Sequence, residues 1–261
     1  MWSAHALLGD TSALETVHRD YVLAGAEILT ANTFRTQRRS LAHAGLGEEA
    51  GELTRRAVAI ARAAIGRGGF VAGSMATLED CWRPDLVPGD DALAHEHAEH
   101  AEHLARAGAD LLLVETMNTI REAYAAVRAA KATGLPVGVS FACDAAAKLL
   151  SGEPLVTALA AVCALEVDLV GVNCLPPAHV GAALGALEAT KRPFAVYANL
   201  GAPLAGTDGA RTHDETPSHF AAHAQSWIAH GARVVGGCCG TRPAHIRAIA
   251  SATRTSSLPA P

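Results

Sequence analysis

Two adjacent cysteines, Cys238 and Cys239, close the apolar run "RVVGGCCGTRP" between glycines, and a third, Cys174, closes the earlier run "DLVGVNC". Neighbouring cysteines pair with each other only through a strained ring. Six cysteines in 261 residues are also too dilute for a disulfide framework. In a reducing compartment, clustered thiols point instead to metal binding or catalysis. Zinc takes thiolates tetrahedrally at about 2.3 Å, and three protein ligands with one open position mark a catalytic site. Cys238 and Cys239 supply two ligands, and Cys174 is the candidate third because it ends its run as Cys238 ends its own. Glu115, at the end of "DLLLVETM", is a second candidate: a carboxylate closing an apolar strand is costly unless it is paired or faces a site. Cys81, Cys143 and Cys163 read as ordinary buried or incidental cysteines.

These residues need elements that bring them together. Apolar, β-branched runs at 26–34, 70–75, 110–117, 136–143, 168–174, 193–201 and 232–239 read as buried strands. Ala-rich amphipathic segments such as "HEHAEHAEHLARAGAD" and "TIREAYAAVRAAKATG" separate them, several ending at a helix-stopping glycine. Strands alternating with helices predict a parallel α/β protein. No GxGxxG follows the first strand, which weakens a dinucleotide-binding sheet. Polar residues instead end nearly every strand: Asn32, Ser74, Glu115 with Thr116, Ser140, Asn173 with Cys174, Asn199, and the cysteine pair. Such a ring is the pattern of a (β/α)8 TIM-type barrel, whose βα loops all open on one face. Only seven strands are countable, so the expected fold is that barrel lacking its first β-strand; residues 1–25 read as a loop and then a helix. One domain is expected over 1–250, with a disordered tail over 251–261.

Successive strand residues point to opposite faces, so both Cys238 and Cys239 reach one ion only if the strand breaks there. Gly236, Gly237 and Gly240 permit that bend. Thr241 and Pro243 read as a helix N-cap and first turn, whose dipole favours nearby thiolates. His95, His97, His100 and His103 are expected on a solvated helix face opposite Ala94, Ala98, Ala101, Leu104 and Ala105.

The formal net charge is -5 and the arginines are scattered, so nucleic acid is not an expected partner. The apolar runs are too short for a bilayer span, and "MWSAHALLGD" lacks the form of a signal peptide. A soluble cytoplasmic protein is expected, and oligomeric state is not legible.

"GVNC" and "GGCCGTRPAHI", with "ETM" on an earlier strand and "VHRDYVLAGAEILTANTF" near the start, resemble the homocysteine S-methyltransferase family over essentially the whole chain. The resemblance implies a zinc-dependent enzyme on a (β/α)8 barrel. Its zinc ligands would be Cys174, Cys238 and Cys239, and Glu115 would hold the substrate amino group. Thr116, Ser140 and Asn173 are further candidate substrate contacts. Family members usually begin with a strand bearing Asp-Gly-Gly that contacts homocysteine, followed by a segment like "MWSA", here the first residues present. A late start or a shortened gene is the expected account of the missing strand.

The implied reaction is methyl transfer to the homocysteine thiol, which zinc holds as thiolate, giving methionine. S-methylmethionine or S-adenosylmethionine is the expected donor. Betaine enzymes carry Tyr after the equivalent glutamate, where this chain has Thr116, and one domain of this length leaves no room for folate and cobalamin modules. Trp82 could stack on a sulfonium, and residues 201–217 could form a lid. Three alternatives stay open: a zinc- or thiol-binding remnant without activity, betaine or another donor, and a barrel enzyme of other chemistry that binds phosphate after its last strand.

Overall fold

In a computed structural model the described residues are 2–200 and 215–256. A 3-10 turn over Trp2–Leu7 leads into α1 (Ser12–Leu23). Strands and helices then alternate: β1 (Ile28–Thr30), α2 (Arg38–Ala42), α3 (Ala50–Ile65), β2 (Phe70–Met75), α4 (Asp90–Arg106), β3 (Leu111–Met117) and α5 (Ile120–Lys131). The second half continues with β4 (Val137–Phe141), α6 (Leu155–Cys163), β5 (Leu169–Asn173), α7 (Pro177–Ala189), β6 (Phe194–Ala198), α8 (Pro217–Ala229), β7 (Ala232–Gly237) and α9 (Pro243–Ser256).

The strands are parallel and neighbour one another in sequence order from β1 to β7. Parallel neighbours require a crossover, and each intervening helix supplies it. β4 is buried along its whole length, as its run of valines and Phe141 demands when helices cover one face and the barrel interior the other. Two helix starts follow capping chemistry. Thr119 accepts from the Glu122 N–H at the head of α5, and Thr216 from the His219 N–H at the head of α8.

Among the described residues no ladder joins β7 to β1, which are the two edges of the sheet. Val234 to Gly237 on β7 are accordingly only half-buried. The helix layer does close: α1 lies against α9, and the Tyr21 hydroxyl donates to the Thr241 carbonyl at 2.8 Å. The architecture is thus a (β/α)8-type barrel of seven strands, open at the position of a first strand. One apolar core fills the space between strands and helices, with a satellite of Leu7, Leu41, Ala50, Leu53 and Ala57 under the N-terminal turn.

Three expectations are corrected. β1 is far shorter than 26–34, because residues beyond Thr30 turn away to form the β1–α2 loop. Residues 251–256, expected in a disordered tail, belong to α9; 257–261 lie outside the described residues. The α4 histidines do not share a solvated face. His97 and His100 are buried while Ala94 and Ala98 are exposed, since the inward stripe of α4 is Leu93, His97, His100, Ala101 and Leu104. Polar partners make this possible: His97 Nε2 lies 3.4 Å from a carboxylate oxygen of buried Glu122, and His100 Nε2 lies 3.3 Å from the Ser74 carbonyl.

Candidate active site

Cys174 is the first residue after β5, and Cys238 and Cys239 are the first two after β7. Gly171 lets β5 and β6 approach closely, since a Cβ there would come within 2.6 Å of the Ala195 carbonyl oxygen. Cys174 then turns out of its strand in a left-handed conformation, φ 57°. After β7 the chain bends as the glycines allow. The Cys238 N–H donates to the Ala198 carbonyl at 2.7 Å, and the Cys239 carbonyl accepts from Leu200 N–H at 2.9 Å. Gly240 has φ 81°, and the Thr241 hydroxyl donates to the Cys238 carbonyl at 2.7 Å. Thr241 therefore closes the cysteine turn and is not the helix cap; α9 begins at Pro243. A Cβ at Gly237 would collide with the Thr241 side chain, so that glycine has a steric reason.

The three sulfurs converge. Cys174 Sγ lies 3.0 Å from Cys238 Sγ and 3.8 Å from Cys239 Sγ, and the pair are 4.0 Å apart. Sulfurs around a tetrahedral zinc at about 2.3 Å sit about 3.8 Å apart; the two separations from Cys239 match that spacing, Cys174 and Cys238 stand closer, and the donor set suits such an ion. Each cysteine is partly exposed, leaving a side open for a further ligand. Hydrogen bonds from Cys174 and Cys238 hold the Cys239 thiol below the ordinary cysteine range. Cys174 is raised by its neighbours, Cys238 first and Cys239 second.

A polar network lines the adjacent strand ends. Glu115 is buried on β3 and accepts from the Ser74 hydroxyl. Burial raises its carboxyl to about 7 against that hydrogen bond. Thr116 follows with φ 60°, a strained conformation for a β-branched residue. Asn173 holds it there: Asn173 Oδ1 accepts from the Thr116 N–H at 3.0 Å, and Asn173 Nδ2 donates to Thr116 Oγ1 at 2.7 Å. Ser140 donates to Asn173 Oδ1 at 2.7 Å, and its hydroxyl also makes a short contact with the Tyr197 hydroxyl.

Tyr197, inside the β6 run, was not singled out by sequence reasoning. Its signal was position alone, two residues before Asn199 on an inward-facing register. Asn199 is fully buried and its amide atoms have no hydrogen-bond partner among the described residues. Trp82 is half-buried in the loop after β2, its N–H bonded to Asp80. Of the expected lid, 201–214 lie outside the described residues. A cleft of about 440 Å³ opens beside β1. Ser3, Asn32, Phe34, Ser74 and Glu115 line it, whereas the cysteines do not.

A family model described as homocysteine S-methyltransferase matches residues 1–253. Methionine synthase from Mycobacterium tuberculosis is 34% identical over 94% of this chain, which spans only 22% of that protein's length. Homocysteine S-methyltransferase 4 of Zea mays is 31% identical, over 97% of this chain and 83% of that protein. The solved metallated form of the homocysteine methyltransferase MmuM from Escherichia coli superposes with a TM-score of 0.82 at 29% identity, covering 96% of this chain and 88% of that one. A strand order, a trio of converging cysteines and a whole-chain match agree: this chain belongs to the homocysteine S-methyltransferase family.

Proposed function

We propose that this chain transfers a methyl group from a small sulfonium donor, S-methylmethionine or S-adenosylmethionine, to the thiol of homocysteine, giving methionine. The observation that carries this reading is the convergence of Cys174, Cys238 and Cys239 within 4.0 Å of one another at the ends of two strands. These three residues would hold a zinc ion, and three thiolates are a donor set that favours zinc over harder cations. When bound, such an ion supplies Lewis acidity that favours the thiolate form of a thiol whose free pKa is about 8.5. The solved relative is described in a metallated form, which supports a bound metal in this chain.

The chain's own residues do the rest. Cys174, Cys238 and Cys239 would each offer one sulfur to the ion. Glu115 presents a carboxyl oriented by Ser74. The ammonium group of an amino acid beside it would replace the proton, since a nearby positive charge favours the carboxylate. Thr116, Ser140 and Asn173 act as a rigid wall, their mutual hydrogen bonds fixing the turn that aims Glu115 inward. Holding both substrates in line lets the acceptor sulfur form its bond to the methyl carbon as the donor's carbon–sulfur bond breaks and a neutral thioether leaves.

A second reading draws on the 34% identity to a methionine synthase: the donor would then be a methylcobalamin carried on another polypeptide or module. Incubating the purified chain and homocysteine with S-methylmethionine, S-adenosylmethionine, betaine or methylcobalamin, while following methionine and bound zinc, decides between them. Methionine from a sulfonium supports the proposal. Turnover with methylcobalamin alone selects the second reading, and bound zinc without methionine from any donor selects an inactive remnant.

A further inference from the structure

The start of α8 gathers a second set of ligating side chains that methyl transfer does not use. His219 and His223 stand one turn apart on one helix face, and Glu215 precedes the Thr216 cap by one residue. A ligand atom from each lies within 4.8 Å of the others. His223 Nε2 is 3.7 Å from Glu215 Oε2, too long for a hydrogen bond but near the roughly 3.4 Å between ligand atoms on a tetrahedral ion with bonds of about 2.1 Å. Glu215 Oε2 is buried and has no hydrogen-bond partner among the described residues. A buried carboxylate oxygen left unpaired costs free energy that a cation would recover.

The site is also pre-arranged. The His223 ring stacks on Trp227 at 6.1 Å and 17°, which sets its plane. Behind Glu215, His245 Nδ1 accepts from the Arg242 N–H at 3.1 Å. Its Nε2 therefore carries the hydrogen and donates to the Glu215 carbonyl, also at 3.1 Å. Glu215 is thus pinned to the turn that follows Cys239. Two imidazoles one helical turn apart plus a carboxylate suit a borderline divalent transition ion with its remaining positions taken by water. We infer that Glu215, His219 and His223 form a second metal site, for a divalent ion of the Zn2+, Co2+ or Ni2+ type, separate from the three cysteines.

Cobalt(II) titration of the reduced, metal-free full chain tests this. Binding at cysteines gives intense thiolate-to-cobalt charge transfer, whereas a histidine–carboxylate site adds weak ligand-field bands only. Two equivalents of Co2+ are expected, one with and one without the charge-transfer band. The Cys174→Ser, Cys238→Ser, Cys239→Ser triple variant should keep the second. His219→Ala with His223→Ala should lose it, by more than the roughly 10–100-fold that even outer-shell losses cost, and keep the charge transfer. In the unmutated chain, Ni2+ should broaden the ring-proton NMR signals of His219 and His223, which makes the test independent of any variant's folding. Unbroadened signals, or a Co2+ isotherm unchanged by the double histidine variant, would overturn the inference.

Discussion

Cys239 sets the sharpest expectation at the scale of single residues. Cys239→Ser removes one of three converging sulfurs, and the chain should lose about one equivalent of bound zinc, with methyl transfer reduced more than about 100-fold; metal analysis beside an activity assay checks both. Glu115→Gln removes a charge but keeps shape and a hydrogen-bonding oxygen. If Glu115 binds the substrate ammonium, losing that charge-assisted bond costs about 1.5–3 kcal/mol. KM for homocysteine should then rise about 10–100-fold with zinc content unchanged. Gly237→Ala forces the Thr241 side chain from the turn it closes. Stability should fall by about 1–3 kcal/mol, read as a lower urea midpoint at constant slope.

Helix α4 shows why an element's inward face cannot be assigned by residue class alone. It holds four histidines and many alanines, and the alanines invite the inward assignment. The sheet instead receives Leu93, His97, His100, Ala101 and Leu104, because Glu122 and the Ser74 carbonyl offer the imidazoles partners in the interior. Burial pushes His100 down to about 4. The unfolded chain, at about 6.5, then binds more protons than the folded one between pH 4 and 6.5. Stability should therefore be full above pH 6.5 and fall as pH drops toward 4, by up to about 3 kcal/mol from this group. Urea melts of the parent and of His100→Gln across pH 4.5–7.5 should show a shallower slope in the variant; equal slopes would assign the pH dependence elsewhere. Strand β3 makes the complementary point. Its regular ladder with β4 shifts between Val114 and Met117, and the irregularity holds Glu115 and Thr116.

For the molecule as a whole, the seven-stranded sheet is tied together unevenly. Each strand from β1 to β6 has a ladder to the next, but across the seam the described contacts lie in the helix layer, at Tyr21 and Thr241 and where α1 meets α9. An ion bound by sulfurs after β5 and β7 would clamp that end of the sheet. Any ligand that binds only the folded state stabilises it, by about 2.7 kcal/mol at a hundred times its dissociation constant. Chelating the metal under reducing conditions should accordingly lower Tm by several degrees. With His219→Ala and His223→Ala added, the triple cysteine-to-serine variant should melt at the same temperature with or without chelator.

The sequence by itself determined the alternation of strands and helices, because fully buried parallel strands read as continuous apolar runs and their covering helices as Ala-rich periodic ones. It also placed Cys174, Glu115 and the Cys238–Cys239 pair at strand ends, since a polar residue that closes an apolar run is visible along one dimension. Only the tertiary structure decided what lies across a strand boundary. It brought three sulfurs from distant turns to within 4.0 Å, gave Thr116 its left-handed backbone through Asn173, and buried His97 and His100. It also drew Tyr197 to Ser140 and gathered Glu215, His219 and His223. Periodicity reports which way a side chain points, whereas partners are chosen by neighbours that the chain supplies from far away, and hydrogen bonds between them leave no mark in composition or spacing.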